Sequence, residues 1–342
     1  MDKKFRAAVI GCGRITAVYK KAFKDNNDII DVVGACDKVL ERAESFASEF
    51  PGCKAFTNFD EMLALKPDVV HVLTPHFLHK EHVEKALKAG CNVLTEKPIG
   101  ISMDDARSMI KTYHESGMKM GVIFQNRYIE GIQEVKRLIE TGAFGKLLGA
   151  WSHLAWFRPA SYYQCDWKGY WDKEGGGVVI DQAIHSIDLV RFLMDCEVTS
   201  IDGHYSRRIL KTIEVEDEAD AAITFENGAV YSFFACNYYK RNSPIRIEIL
   251  GEKGRALLTE SVVEIELEGK EKYKVMPKMG ENVHGEGYWG SYHTVQVRDY
   301  YEKLSKGEDV PFSPEDAAKT LAIVLGIYAS QRQCKPVIPE NI

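Results

Sequence analysis

From Lys4 to about Phe124, short apolar runs alternate with amphipathic stretches, and that rhythm leaves few folds open. Residues 5–10, 29–36, 69–73, 92–95 and 120–124 carry apolar side chains on both faces, the pattern of strands buried inside a parallel sheet. Residues 14–24, 40–50, 77–89 and 103–116 between them have helical periodicity, with Gly90 and Gly117 placed as C-terminal stops. Strands that alternate with helices predict a doubly wound α/β domain over residues 1–124.

Past Gln125 the rhythm changes. A helix is expected at 130–141, a strand at 146–157 and a helix at 178–194. Six strands then follow without helices between them, at 198–205, 219–225, 229–235, 245–251, 255–260 and 262–267. Asn227-Gly228 and residues 251–254 supply hairpin turns. Grouped strands of this kind predict an α+β domain over 125–342, built on a large, mostly antiparallel open sheet. Helices at 292–306 and 314–333 close the chain, and the second is expected to pack back toward the first domain.

Composition narrows the class of partner. The 342 residues are 45% hydrophobic and 27% charged, as in soluble globular chains, and the net charge is −6. That balance argues against nucleic acid, whose phosphates call for a basic surface. No apolar stretch approaches the roughly 20 residues of a membrane span, and no secretory signal precedes the first strand. The eight cysteines are scattered, without CxxC pairs, which suits a reduced, cytoplasmic protein.

The first strand runs into Gly11-Cys12-Gly13-Arg14-Ile15-Thr16. The two glycines suit a tight turn and close approach of a pyrophosphate to the start of the next helix, while Thr16 departs from the usual third Gly or Ala. Asp37 ends the second strand, where a carboxylate binds adenosine ribose hydroxyls. These residues predict a dinucleotide-binding Rossmann domain. Asp37 favours NAD because it repels a 2′-phosphate, and the neighbouring Lys38 leaves NADP open. Thr74-Pro75-His76 with His79, and Glu96-Lys97-Pro98, follow later strands at the sheet edge where such domains bind ligands. His76, His79 and His82 do not make a metal set, since no Cys or acid completes them at ligand spacing. Lys97 is placed to share in proton transfer or to hydrogen-bond a reacting hydroxyl, and Pro98 admits a cis peptide.

Residues 175–188, Gly-Gly-Gly-Val-Val-Ile-Asp-Gln-Ala-Ile-His-Ser-Ile-Asp, carry the second cluster. Asp181, His185 and Asp188 stand at i, i+4 and i+7, one stripe of an α-helix that is otherwise apolar. Polar groups so placed are costly to bury unless they serve each other or a ligand.

With these motifs in one chain and in this order, the sequence resembles the glucose–fructose oxidoreductase / inositol 2-dehydrogenase (Gfo/Idh/MocA) family over nearly its whole length. The resemblance implies that Lys97, Asp181 and His185 converge on the carbon bearing a substrate hydroxyl. It also implies that Asp166-Trp167-Lys168 lies near the cofactor, with Trp167 and Lys168 as contacts. Phe124-Gln125-Asn126-Arg127-Tyr128 and Arg158-Pro159-x-x-Tyr162-Tyr163 further resemble members that oxidise C3 of glycosyl units, and Gln125 joins the expected cofactor contacts.

The expected activity is therefore hydride transfer between a secondary alcohol of a sugar, glycoside or cyclitol and NAD. His185 is the expected base, Asp181 fixes the ring or an adjacent hydroxyl, and Lys97 supports alkoxide charge. Arg127, Tyr128, Arg158, Tyr163, Trp171 and His293 are candidate substrate contacts, although Tyr163 and Trp171 equally suit plain packing. Inositol 2-dehydrogenase and UDP-sugar 3-dehydrogenase activities stay open. So does an NAD-dependent glycosidase working through a transient 3-keto sugar, while a non-catalytic sensor would lack the lysine or histidine. Residues 280–290, rich in glycine, are expected to form a mobile loop. The open sheet predicts a homo-oligomer, a dimer or tetramer.

Overall fold

The computed structural model describes residues 4–278 and 292–342; the expected loop at 280–290 lies outside the described residues. The first half carries β1 (Phe5–Ile10), α1 (Thr16–Asp25), β2 (Ile30–Cys36), α2 (Leu40–Ala47), β3 (Lys54–Phe56), α3 (Phe59–Leu63), β4 (Val69–Val72), α4 (His79–Lys88), β5 (Asn92–Thr95), α5 (Met103–Ser116) and β6 (Met120–Val122). The six strands are all parallel, in the order β3-β2-β1-β4-β5-β6. Ala7, Val9, Val69, Val70, Val72, Val93 and Leu94 are fully buried, as a sheet covered on both faces demands. The strand order reverses between β1 and β4, which is where an open sheet of this kind forms its ligand crevice. Two small elements, β3 and α3, escape the sequence reading. The first is a three-residue edge strand and the second a five-residue helix, both too short to show a period.

The second half carries α6 (Glu130–Glu140), β7 (Leu147–Ala155), α7 (Ile184–Met194), β8 (Val198–Ser206), β9 (Glu218–Phe225), β10 (Val230–Cys236), β11 (Arg246–Gly251), β12 (Gly254–Thr259), β13 (Val262–Leu267) and β14 (Tyr273–Val275). Two helices follow, α8 (His293–Lys306) and α9 (Pro314–Gln333). Eight strands form one sheet, β14-β13-β12-β11-β7-β10-β9-β8. It is antiparallel except where β10 lies parallel to β7.

The chain divides into two compact units. One runs to Gln125 and takes up the chain again through α8 to Ala318; the other comprises Asn126 to β14 and Lys319–Asn341. By its position in the sequence α8 belongs to the second domain. Periodicity reports that a segment is helical, not which surface receives it, and α8 is received by the first unit. Arg298 holds Asp28 at 2.7 and 2.6 Å, and Asn26 donates to the Thr294 carbonyl. Gln296 accepts from the Phe124 N–H and donates to the Val122 carbonyl, so it extends β6 in place of another strand. The helix α9 is divided between the units at Ala318.

Among the described residues no helix is long and apolar enough to cross a membrane, and no group of three or more His, Cys, Asp or Glu side chains is placed to hold a metal. All eight cysteines are free thiols.

Candidate active site

In the first unit the candidate residues gather at the carboxyl ends of the strands. Gly11 follows β1 with φ of +93°, and a Cβ there would meet Leu73 backbone atoms at 2.7 Å. Only glycine allows β1 and β4 to end this close. Among the described residues, no atom beyond the chain neighbours of Gly13 lies within 4 Å of where a Cβ would be, so the backbone is open to a phosphate. Thr16 replaces the usual third glycine without disturbing the turn, because its hydroxyl donates to the Gly13 carbonyl at 2.6 Å. Arg14 is exposed, Ile15 half-buried, and α1 begins without a side-chain cap, its first N–H groups donating instead to the carbonyls of Gly13, Arg14 and Ile15. The turn therefore fits a dinucleotide.

Asp37 is buried, and its carboxylate accepts the N–H groups of Cys12 at 2.8 Å and Val39 at 2.9 Å. It thereby ties the glycine turn to the end of β2. Lys38 is exposed beside it, and Arg42 Nη1 lies 4.0 Å from its Oδ1. Burial and the nearby Asp37 charge push the Cys12 thiol up to about 12, so this cysteine is a small apolar filler rather than a nucleophile.

His79 belongs to the scaffold of the crevice. Its ring is fully buried, with Nε2 2.8 Å from the Thr74 carbonyl and Nδ1 2.7 Å from the Pro98 carbonyl. One ring thus spans the loop after β4 and the Lys97–Pro98 peptide, which is cis. Satisfying both carbonyls takes an imidazolium, and burial opposes that charge and holds the pKa below the usual histidine range. Pro75 is half-buried, while His76 is buried with its ring 5.9 Å from that of His79. Thr74 Oγ1 lies 3.1 Å from His82 Nδ1.

Glu96 is buried too. Its Oε1 accepts the Tyr19 hydroxyl at 2.7 Å and lies 3.5 Å from His293 Nε2. Burial raises its pKa, but His293, Tyr19 and the Lys97 charge outweigh burial and bring it to about 2. Lys97 is half-buried, and Gln125 is buried at the end of the unit. His293, expected on the substrate, is buried in the first unit with its ring 5.8 Å from Tyr19.

In the second unit the sequence stripe divides. Val179–Ala183 forms a π-helical turn ahead of α7, so Asp181 stands in a wider turn than an α-helix provides. The segment is apolar on all sides, with Val178, Val179, Ile180, Ala183 and Ile184 buried, as expected of a helix inside a core. The glycines before it are explained by close approach. A Cβ at Gly176 would lie 2.2 Å from the Tyr328 hydroxyl, and one at Gly177 would lie 1.9 Å from the Glu216 carbonyl oxygen.

Three donors converge on Asp181 Oδ2: Lys168 Nζ at 2.7 Å, the Tyr162 hydroxyl at 2.7 Å and Gln182 Nε2 at 2.6 Å. Lys168 also reaches Glu174 Oε1 at 3.2 Å and lies over the rings of Trp167 and Tyr162. Burial works against its charge, yet the Asp181, Tyr162 and Glu174 oxygens raise its pKa well above the usual lysine value. Glu174 is 1% exposed, and Oε2 accepts the Gly169 N–H at 2.5 Å. Burial pushes Glu174 up to about 7, opposed by Lys168 and reinforced by the Asp181 charge. One ammonium thus serves two buried carboxylates, and the second keeps its proton near neutrality. Glu174, Gln182 and Asn237 were not singled out from the sequence, where no spacing or motif marks them.

His185 is half-buried in the first turn of α7. Asp188 lies apart from this cluster. It receives Arg127 through Nε at 2.7 Å and through Nη2, and the Thr320 hydroxyl at 2.9 Å. Arg127 is 2% exposed, so its guanidinium is committed to this ion pair inside the unit. Tyr128 is half-buried. Arg158 stacks on Trp156 and Tyr162 and donates to the Asn242 side chain at 3.3 Å. The Tyr163 hydroxyl accepts from Asn237 at 2.6 Å, and Trp171 packs edge-on against Tyr205 and Tyr328.

Residues 5–124 match an oxidoreductase family with an NAD-binding Rossmann fold, and residues 132–257 match the GFO/IDH/MocA C-terminal domain. A D-glucoside 3-dehydrogenase of Escherichia coli (strain K12) is 27% identical over 276 residues, covering 74% of this chain and 76% of that protein. A scyllo-inositol 2-dehydrogenase (NAD(+)) of Bacillus subtilis (strain 168) is 25% identical over 348 residues, covering 98% and 97%. Among solved structures, the WlbA dehydrogenase from Bordetella pertussis, in complex with NADH and UDP-GlcNAcA, superposes with a TM-score of 0.85 at 27% identity. It covers 99% of this chain and 100% of its own.

Proposed function

The chain belongs to the GFO/IDH/MocA family of NAD-binding oxidoreductases, and from that premise we propose that it oxidises a ring secondary alcohol of a sugar, glycoside or cyclitol, with C3 of a glycosyl unit as the reacting carbon. A nicotinamide coenzyme held by the Gly11–Thr16 turn and Asp37 would supply the hydride acceptor for that carbon. His185 takes the hydroxyl proton, so that the products are a ketone, reduced coenzyme and a protonated imidazole. The Lys97 ammonium stabilises alkoxide charge as it develops. Asp181 holds Lys168 and Tyr162 in place as fixed donors beside the reacting alcohol. Trp167 and Lys168 also remain candidate coenzyme contacts, and Tyr128, Arg158 and Tyr163 candidate sugar contacts.

The observation that carries this reading is the buried Lys168–Asp181–Tyr162 cluster, 2.7 Å on each side of one carboxylate oxygen, in the helix that also bears His185. A pure packing role would not call for an ion pair, a second carboxylate and a phenol gathered against so apolar a helix. The E. coli and B. subtilis relatives are named for alcohol carbons of glucosides and an inositol, which supports a polyol ring as substrate. The second reading is a UDP-sugar dehydrogenase, favoured by the near-complete superposition on a dehydrogenase holding UDP-GlcNAcA.

An NAD-reduction screen across glucosides, inositols and UDP-hexoses tests both readings. Oxidation at C3 predicts a primary deuterium isotope effect with C3-deuterated substrate, and an effect at another carbon retires that regiochemistry. Stoichiometric NADH separates a dehydrogenase from a glycosidase that uses NAD transiently.

The same proposal includes a homo-oligomer, a dimer or tetramer, formed by a second copy of the chain on the open face of the eight-stranded sheet. Val230 and Leu250, 43% and 37% exposed, flank Gly149 in register at the middle of that sheet, an apolar strip on central strands. Light scattering of the purified protein decides it. A cytoplasmic location, supported by eight free thiols, completes the reading.

A further inference from the structure

Asn237 stands just past β10 with its backbone held on both sides. Its N–H donates to the Asp217 carbonyl at 3.0 Å, and its own carbonyl accepts the Arg158 N–H at 2.8 Å. The side chain is completely buried, yet Oδ1 meets no donor among the described residues. A buried acceptor left alone is uncommon and asks for a cause. The Tyr163 hydroxyl lies 2.6 Å from Nδ2, and a phenol can donate as well as accept, so an amide turned over would pair Oδ1 with it. What opposes the turn is Gln182, whose Oε1 lies 3.4 Å from the same nitrogen. Turned over, Asn237 would set one amide oxygen against another. Gln182 has no freedom either, because its Nε2 donates at 2.6 Å to Asp181 Oδ2, an oxygen that also receives Lys168 and Tyr162. Each step therefore fixes the next. Asp181 sets Gln182, Gln182 sets Asn237, and Asn237 donates to the Tyr163 oxygen, whose own proton has no acceptor among the described residues.

We propose that Gln182 and Asn237 are positioning residues that relay the polarity of the Asp181 carboxylate to the Tyr163 hydroxyl, and so hold it as a donor to one hydroxyl oxygen of a polyol substrate. The proposal deepens the functional reading above and rests on it. Both amides are buried, whereas Tyr163, at the end of the relay, is half-buried. Burial, reinforced by the Glu174 and Asp181 charges, raises the pKa of the phenol, so the proton it donates is present throughout the neutral range. The relay also confers selectivity. A phenol free to donate or accept tolerates either kind of partner, but one that already accepts from Asn237 reads an acceptor. A ring lacking oxygen at that position leaves the O–H unanswered.

The relay is tested first without substrate. The C–O stretch of a tyrosine differs in infrared frequency when its oxygen accepts and when its O–H donates. In the full chain carrying 13C-labelled tyrosine, the Tyr163 band is the one lost in Tyr163→Phe. In the wild type it should stand at the accepting position. Asn237→Leu removes the donor and should abolish that band position. Gln182→Met does not touch Tyr163, yet it frees the Asn237 amide to turn, so a second band should appear at the donating position. A donating band in the wild type overturns the proposal, as does a single accepting band that survives either variant. The two variants act independently, so this arm stands where one of them fails to fold. Activity gives the second readout. With the substrate found in the screen, Tyr163→Phe should lower kcat/KM by about 10-fold and Asn237→Leu by about 3-fold. Asn237→Leu should cost nothing further in the Tyr163→Phe background, because both changes act on one contact. Full kcat/KM in Tyr163→Phe, or losses that multiply, would overturn the proposal. If the wild type reduces NAD with no polyol, the functional reading fails instead, and the infrared bands alone decide the relay.

Discussion

The Glu216 carboxylate accepts the backbone N–H of Gly177 at 2.7 Å, at the point where the glycine run turns into the helix that bears Asp181. The same carboxylate accepts the Val179 N–H at 3.0 Å and the Tyr328 hydroxyl at 2.8 Å. It thus satisfies amides at the start of the π turn that have no partner within the helix. Replacing Glu216 with Gln turns one acceptor into an N–H donor facing other donors, a loss of about 1–3 kcal/mol. Thermal denaturation should show the loss, and His293→Gln, in the other unit, should leave the Glu216→Gln effect additive.

Glu174 predicts a pH dependence of stability. Its pKa in the folded protein, about 7, lies above the ordinary carboxyl value of 4.5. The folded chain therefore binds a proton that the unfolded chain has lost between those two values. The stabilisation is complete below about 4.5 and disappears as the pH rises through about 7. Glu174→Gln keeps the neutral form at every pH. The melting temperature of that variant should fall less between pH 5 and 8 than that of the wild type; parallel curves would show that Glu174 is ionised throughout.

Much of the fold was legible because burial writes itself into the sequence. The parallel strands read as apolar runs since both their faces are covered, and Gly11 announces a turn that only glycine allows. What was not legible is where a satisfied polar group finds its partner. Arg127 and His293 both read as ligand contacts because a charged or polar side chain among apolar neighbours looks the same whether a substrate or the protein answers it. Their partners, Asp188 and Glu96, are far away in sequence. The π turn was hidden for a different reason: spacing of i and i+4 between Asp181 and His185 suits α and π geometry alike, and only the backbone bonds decide.

Arg127 and Asp188 give a direct test of that distinction. Asp188→Ala leaves a guanidinium buried without its counter-charge, which costs about 3–5 kcal/mol. Below its melting temperature the variant should keep the wild-type KM for any substrate found in the screen. A large rise in KM with unchanged stability would return Arg127 to the substrate.

Coenzyme choice turns on Asp37, which serves two ends at once. It holds the Cys12 and Val39 N–H groups, and it stands where a ribose 2′-hydroxyl is read. Lys38 is exposed next to it and Arg42 lies within 4.0 Å, so cations are at hand once the carboxylate is gone. Asp37→Ser keeps an acceptor for the turn, removes the charge that repels a 2′-phosphate and frees Arg42 to bind one. The ratio of kcat/KM for NADP to that for NAD should rise by about 10–100-fold, corresponding to about 1.4–2.7 kcal/mol of altered preference. Both coenzymes should be measured at low and high salt, because an Arg–phosphate contact at an exposed site weakens with ionic strength. If the ratio stays put while both kcat/KM values fall together, the carboxylate acts only through the glycine turn, and discrimination between the coenzymes resides elsewhere.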